Sequence, residues 1–85
     1  MAVTVNFPAA LHLIAGGPSL LVHDSVSTVG QLLLALERLA PGLSEQLDDP
    51  LYNIAVNDEL LLHAVDRRAV ADGDVVEIIP TMAGG

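Results

Sequence analysis

A chain of 85 residues has room for one domain with a single small core, and a hydrophobic content of 52% excludes an intrinsically disordered protein. Eleven acidic residues against three arginines give a net charge of −8, so phosphate backbones are repelled and nucleic acid is not an expected partner. The sequence has no cysteine, no basic N-terminal region and no apolar run near the roughly 20 residues of a membrane span, which predicts a cytoplasmic protein that does not enter membranes.

The N-terminal segment predicts a β-hairpin. Residues 3–7, VTVNF, alternate apolar and polar side chains, which is typical of a half-buried strand with Val3 and Val5 pointing inward. The cluster AGGP at residues 15–18 consists of turn-forming residues. A second strand is predicted at residues 19–24, antiparallel to the first.

The clearest helix of the chain follows the hairpin. Ser27 or Thr28 can cap its N-terminus, and Pro41-Gly42 ends it. Its apolar residues recur at helical spacing and predict one buried stripe: Val29, Leu32, Leu33, Leu36 and Leu39. Residues 43–50 are predicted to form a polar connection with at most one helical turn.

The second half of the chain predicts three strands separated by tight turns. Residues 52–57 are predicted to form a buried central strand, and residues 59–63 a short return strand after a turn at Asn57-Asp58. Asp72-Gly73-Asp74 predicts a second turn, because the remaining ligands of a calcium loop are missing. Residues 75–79 are mostly β-branched and predict the last strand.

The order of these elements predicts an α+β fold of the ubiquitin-like β-grasp type. In this fold one main helix packs across a mixed sheet of four to five strands, and the first and last strands are parallel neighbours at its centre. We expect the domain to span residues 1–80 and residues 81–85 to form a flexible Gly-Gly tail. The tail would then leave the fold from a strand that the sheet holds rigidly.

A tail of this composition suits one kind of chemistry. Five residues follow Pro80 and reach roughly 16–18 Å when extended, and the two final glycines have no side chain to obstruct a narrow channel. Adenylation by ATP would turn the terminal carboxylate into an acyl donor that a thiol, persulfide or amine can attack. The chain itself would need recognition and reach, and no catalytic residue.

The last third of the sequence, NIAVNDELLLHAVDRRAVADGDVVEIIPTMAGG, resembles the ThiS/MoaD family of ubiquitin-like sulfur carrier proteins. The matching pieces are AVND at 55–58, ADGDVVEIIP at 71–80 and AGG at 83–85, and the first half matches in element order and in STVGQLL at 27–33. Length and the P-x-x-A-G-G ending are nearest to the molybdopterin-synthase and cysteine-synthase carriers. A carrier for another sulfur-containing metabolite would look the same.

The resemblance implies a role for each tail residue. Gly85 would carry the adenylate and then the thiocarboxylate, and Gly84 would permit entry into the partner's channel. The inserted tail would also include four preceding residues: Pro80, Thr81, Met82 and Ala83. The resemblance and the expected exposure nominate an apolar docking face, which we call the docking triad: Phe7, Leu60 and Ile79. Ordinary places in the hydrophobic core are the alternative for all three.

The resemblance also implies partners and excludes catalysis by this chain alone. An adenylating sulfurtransferase enzyme would consume the ATP, a sulfur-acceptor synthase would take the sulfide, and the chain would bind no cofactor. A metallopeptidase would be needed if residues encoded after Gly85 had to be removed. Metal binding is not expected, because His12, His23 and His63 share no metal-ligand spacing.

Two other functions stay open at this point. A ubiquitin-like protein modifier would be joined through Gly85 to lysines of other proteins. A plain β-grasp binding module would have an incidental tail. The sequence contains no lysine, so conjugate chains cannot be built on internal lysines, and this favours sulfur transfer over modification.

Overall fold

The computed structural model describes residues 1–48 and 51–81, which form a mixed sheet with helices packed on one face. The strands are β1 (Val3–Asn6), β2 (Ser19–Val22), β3 (Tyr52–Val56), β4 (Glu59–Leu61) and β5 (Val75–Pro80). The α-helices are α1 (His12–Ala15), α2 (Val29–Leu39) and α3 (Leu43–Leu47). Two 3₁₀ segments span Ala9–Leu11 and Val65–Arg67.

The described strands form one five-stranded sheet in the order β2-β1-β5-β3-β4. β1 and β5 pair in parallel at its centre, whereas β1 with β2, β3 with β4 and β3 with β5 are antiparallel. A parallel pair needs a crossover connection, and α2 lies in that connection. The β-grasp prediction, with the first and last strands as central neighbours, is confirmed.

The core lies between the sheet and α2. Val3 and Val5 of β1 are fully buried on this inner face, as their alternation predicts. Within α2 the buried residues are Val29, Leu32, Ala35 and Leu36. Leu39 is 51% exposed, so its predicted place in the buried stripe is wrong; it is the last residue of α2, and the neighbouring Ala40 is buried there instead.

The ends of α2 follow from local side-chain chemistry. The backbone N–H of Gln31 donates to Thr28 Oγ1 at 3.2 Å, and the Gln31 side-chain oxygen accepts from the N–H of Ser27 at 2.7 Å. This reciprocal pair satisfies N–H groups that lack partners in the first turn of a helix. Gly42, with φ of +95°, lets the chain reverse into α3.

The two tight turns predicted in the second half of the chain, at Asn57-Asp58 and around Gly73, are both present. Asn57 and Asp58 have φ of 49° and 70°, the paired positive values of the two-residue turn that joins β3 to β4. Gly73 has φ of +88° in the turn before β5.

Several element boundaries differ from the predictions. β2 and β4 end two residues earlier than predicted, and β5 extends one residue further, through Pro80. The helical turns of residues 9–15 were not predicted, because they are too short to show periodicity. Among residues 1–48 and 51–81, no helix combines the length and the apolar character that crossing a membrane requires.

Candidate functional site

The candidate site is built on β5, the central strand from which the tail leaves. β5 is bonded on one side to β1, with Val5 opposite Val76, and on the other to β3, with Ile54 opposite Ile78. Val76 and Ile78 are buried in the core. β1 pairs with residues 75–77 of β5, and β3 pairs with residues 76–80, up to the end from which the tail leaves. A strand that is paired along its whole length and buried on one face is among the less mobile parts of a small domain, so the tail has a firm base.

The start of β5 is held by a polar network. Asn57 Nδ2 donates to Asp74 Oδ1 at 3.0 Å, Asn57 Oδ1 accepts from the N–H of Val75 at 2.9 Å, and Asp74 Oδ2 accepts from the N–H of Ala71 at 2.8 Å. The Asn57 side chain, followed by the Ala71 N–H, holds the pKa of Asp74 below its ordinary value. The β3–β4 turn is thereby tied to the strand that carries the tail.

The far end of β5 is held by two backbone pairings. Pro80 lies opposite Tyr52, and the N–H of Thr81 donates to the carbonyl oxygen of Leu51 at 2.7 Å. The predicted strand end at Ile79 is therefore one residue short. A proline without an N–H is accommodated there because the pairing of β5 with β1 ends at Glu77, which leaves Pro80 paired on one side only, as on an edge strand.

The remaining predicted tail residues lie outside the described part of the chain. These residues are Met82, Ala83, Gly84 and Gly85. Their roles, and the domain boundary between residues 80 and 81, stay predictions. Only the base of the tail, at Pro80 and Thr81, can be placed.

The docking triad does not form one surface. Phe7 is 6% exposed and belongs to the hydrophobic core, so its predicted place on a docking face is wrong. The physical reason is the alternation of β1: Val3 and Val5 point inward, and Phe7 continues the same period of two. Extending this alternation by one more step, from Val5 to Phe7, would have placed Phe7 in the core.

Leu60 and Ile79 share the outer face of the sheet, opposite the helices. Leu60 lies across from Ala55 and Ile79 across from Asn53, and alternate residues of one strand point to the same face. Leu60 is 47% exposed and Ile79 is half-buried. The two predicted residues therefore flank β3 on one surface.

This outer face is mostly uncharged. Its exposed apolar residues also include Leu21 of β2 and Val75 of β5, which are 52% and 37% exposed. Glu77 lies opposite both Ala55 and Asn6 and contributes a carboxylate at the centre of the face. A surface of this composition suits contact with another protein, with an acidic group available for specificity.

Among the described residues, no group of three or more histidine, aspartate or glutamate side chains is arranged to hold a metal ion. His12 instead places its Nε2 atom 2.9 Å from the carbonyl oxygen of Phe7. Sequence reasoning missed Leu51 and Tyr52 as the residues that hold the tail base, because strand register is set by tertiary pairing.

A family model described as the ThiS family matches residues 5–85, which cover nearly the whole chain and include both terminal glycines. The chain belongs to the ThiS family. The sulfur carrier protein CysO of Mycobacterium tuberculosis (strain ATCC 25618 / H37Rv) is 39% identical over 94 aligned positions, which span 100% of both proteins. The resemblance inferred from the tail and the last strand is thereby confirmed.

Solved structures agree with this ThiS-family fold. The Amycolatopsis orientalis BexX/CysO complex contains a chain that is 31% identical, with a TM-score of 0.84 over 99% of this chain and 100% of that one. SAMP1 from Haloferax volcanii is 27% identical, with a TM-score of 0.80 over 100% of both chains.

Proposed function

We propose that this protein is a sulfur carrier whose C-terminal Gly85 carries sulfide as a thiocarboxylate. The observation that carries the proposal is the ThiS-family match, which runs through Gly84 and Gly85 to residue 85. A full-length relative bearing the name sulfur carrier protein supports it. The central position of β5 supports it further, because a donor tail needs a fixed point of departure.

The chemistry proposed for Gly85 has two steps. An ATP-dependent activating enzyme joins the carboxylate to AMP and releases pyrophosphate, which leaves the acyl carbon open to attack. A hydrosulfide nucleophile then attacks that carbon, the acyl–phosphate bond breaks and AMP leaves. Sulfur now occupies the place of one carboxylate oxygen, and a biosynthetic synthase can take it as sulfide.

The chain would act as a co-substrate and not as an enzyme. ATP would be bound by the activating partner, which agrees with a cytoplasmic location. Gly84, Ala83 and Met82 would pass through the partner's channel, with Pro80 and Thr81 at its mouth. A precursor that continues beyond Gly85 would need a peptidase, for which we propose a metallopeptidase.

We also propose that Leu60 and Ile79 contact the activating enzyme. They lie on the same outer face of the sheet, and Ile79 is one residue from the strand end at which the tail departs. Docking through this face would bring the tail to the partner's active site in a defined direction. Phe7 would support the face from within the core and would not contact the partner.

Intact mass spectrometry of the protein isolated from its native cell tests the sulfur-carrier proposal. We expect a fraction of the protein to gain about 16 Da, the difference between sulfur and oxygen, confined to the C-terminal peptide. A Gly85→Ala variant should lose the modification, since a methyl group obstructs a channel built for glycine. Leu13→Ser, at a residue that is 96% exposed on α1 and away from the outer face of the sheet, is the control and should retain it.

Reaction with the purified activating enzyme, ATP and sulfide makes the test independent of how labile the species is in cells. A wild-type protein that gains no sulfur under these conditions would contradict the proposal. A Gly85→Ala variant that gains sulfur as readily as the wild type would contradict the role of the terminal glycine.

A second candidate function is protein modification. It is favoured by the likeness to SAMP1, which is called a small archaeal modifier protein in the structure from Methanosarcina acetivorans, 26% identical with a TM-score of 0.80. The same mass spectra distinguish the two functions. Isopeptide bonds between Gly85 and lysines of other proteins would establish modification, whereas a thiocarboxylate without such adducts supports the carrier role alone.

A further inference from the structure

The described part of the chain contains an open cleft on the helical side, away from the outer face of the sheet. Two adjoining hollows of about 210 and 190 Å³ share four lining residues: Leu33, Leu47, Asp48 and Asp66. The first hollow lies between α2 and α3, and the second continues toward Tyr52 and Leu61 at the edge of the sheet. The two hollows form one groove, which we call the α2–α3 groove.

The floor of the α2–α3 groove is apolar. Leu33, Leu47 and Ile54 are only half-buried although they pack against the core, and Leu34 at the rim is 67% exposed. Gly30 lines the first hollow at the end where α2 packs closely on the backbone of Asp66, and an added Cβ would lie 3.1 Å from the Asp66 carbonyl oxygen.

The size of the groove indicates what kind of group it accepts. Pockets for small molecules usually measure about 300–1,000 Å³ and bury most of the ligand. The two hollows together reach the lower end of that range, but they lie side by side in an open groove that does not enclose a ligand. Two small adjoining hollows instead suit two neighbouring side chains of a protein segment. Residues three or four apart on a helix are neighbours, about 5–6 Å apart, so one face of a helix can present two side chains to adjoining hollows.

The charge around the groove indicates the character of that segment. Asp48 and Asp66 lie on its rim and are exposed, and neither hollow is lined by an arginine in the described part of the chain. Of the two arginines that follow Asp66 in the chain, Arg68 is paired with Glu59, and Arg67 is exposed and lines neither hollow. An apolar floor with an acidic rim is complementary to apolar side chains flanked by lysine or arginine.

The groove also lies beside the base of the tail. Tyr52 lines the second hollow, and it is the residue opposite Pro80 at the end of β5. A segment seated in the groove would therefore lie next to the point at which the tail departs, without covering the outer face.

We propose that the α2–α3 groove is a second docking surface that takes a basic amphipathic helix of a partner protein. Two apolar side chains of that helix fill the two hollows, and its lysine or arginine side chains face Asp48 and Asp66. This interaction goes beyond sulfur transfer and needs neither Gly85 nor its activation. A partner could hold the carrier through the groove while the tail and the outer face engage an enzyme.

Amide chemical-shift titration with a synthetic amphipathic peptide of leucine and lysine tests this proposal. We expect shifts at Gly30, Leu34 and Leu47, with affinity that falls as salt rises. Leu34→Ser, and separately Asp48→Asn with Asp66→Asn, should each weaken binding by about tenfold or more. Leu39→Ser is the matched control, because Leu39 is 51% exposed on the same helix but does not line the groove.

A peptide of the same composition in scrambled order separates docking from simple charge attraction. The proposal is overturned if the scrambled peptide binds equally well, or if the shifts fall on the outer face around Leu21 and Leu60. It is also overturned if removing residues 82–85 alone shifts the groove amides, because the occupant would then be the chain's own tail. Binding by a Gly85→Ala protein at wild-type affinity would show that the groove and the sulfur chemistry are separate.

Discussion

At the scale of single residues, Ala64 has a backbone conformation that its side chain disfavours. Its φ and ψ of 50° and 41° lie in the left-handed region, where a Cβ crowds the following carbonyl oxygen. Asn57 and Asp58 also have positive φ, but asparagine and aspartate tolerate it better than alanine. The left-handed conformation at Ala64 turns the chain from β4 into the 3₁₀ segment Val65–Arg67.

Ala64→Gly should therefore stabilise the protein. Removing the left-handed cost of about 1–2 kcal/mol outweighs the added entropy of glycine in the unfolded chain, and we expect the free energy of unfolding to rise by about 0.5–1 kcal/mol. Urea denaturation measures it. Ala10→Gly, an exposed position without positive φ, is the control and should destabilise. A loss of stability in both variants would contradict the argument.

At the scale of elements, Glu37 joins α2 to α3. Its carboxylate accepts from the Ser44 hydroxyl at 2.6 Å, from the N–H of Gly42 at 2.8 Å and from the N–H of Ser44 at 2.9 Å. These donors, the hydroxyl foremost, hold the pKa of Glu37 below its ordinary value. A polar side chain on α2 thereby caps the start of a helix too short to be stable alone.

The stability that Glu37 contributes should depend on pH. Because its pKa is lowered on folding, the contribution is complete above the ordinary glutamate value of 4.5 and is lost as pH falls through the folded-state value. Glu37→Gln should lower the thermal midpoint of unfolding at pH 7. As the pH is lowered, the difference in thermal midpoint between the variant and the wild type should become smaller. Glu45→Gln, exposed on α3, is the control. A difference that stays constant with pH would contradict this account.

At the scale of the whole molecule, charge and the outer face act together. A net charge of −8 on 85 residues favours rapid, salt-sensitive association with a basic surface. The outer face supplies the apolar contact that such an encounter needs to become specific. β5 carries part of this face and continues into the tail. Docking through the outer face would therefore also orient the tail toward the partner.

Leu60→Ser should weaken recognition by the activating enzyme. Losing the apolar contact that this exposed leucine makes with the enzyme should raise the KM for this protein in ATP–pyrophosphate exchange by about tenfold and leave kcat nearly unchanged. Leu13→Ser removes a leucine that is 96% exposed on α1 and should leave both constants unchanged. Equal effects of the two substitutions would contradict docking through the outer face.

The sequence predicted the candidate site unevenly. Gly84 and Gly85 stand out because two glycines follow a final strand, which is a local signal. The docking role of Leu60 stays a prediction, although the structure places its side chain on the exposed outer face. Phe7 lies in the core because it continues the period of two in β1. The sequence alone could not predict the groove around Leu33 and Leu47. Whether these side chains are buried or left half-exposed depends on the distance at which α2 and α3 pack.

By itself, the sequence determined the order of the five strands and the main helix, the two tight turns of the second half and the Gly-Gly end. These features depend on periodicity, capping and backbone preferences, which act between residues near in the chain. Only the tertiary structure decided that Tyr52 and Leu51 hold the tail base, that Glu37 caps α3, and that an acidic-rimmed groove stays open beside β3. Those features depend on register and packing between distant segments, which local preferences do not encode.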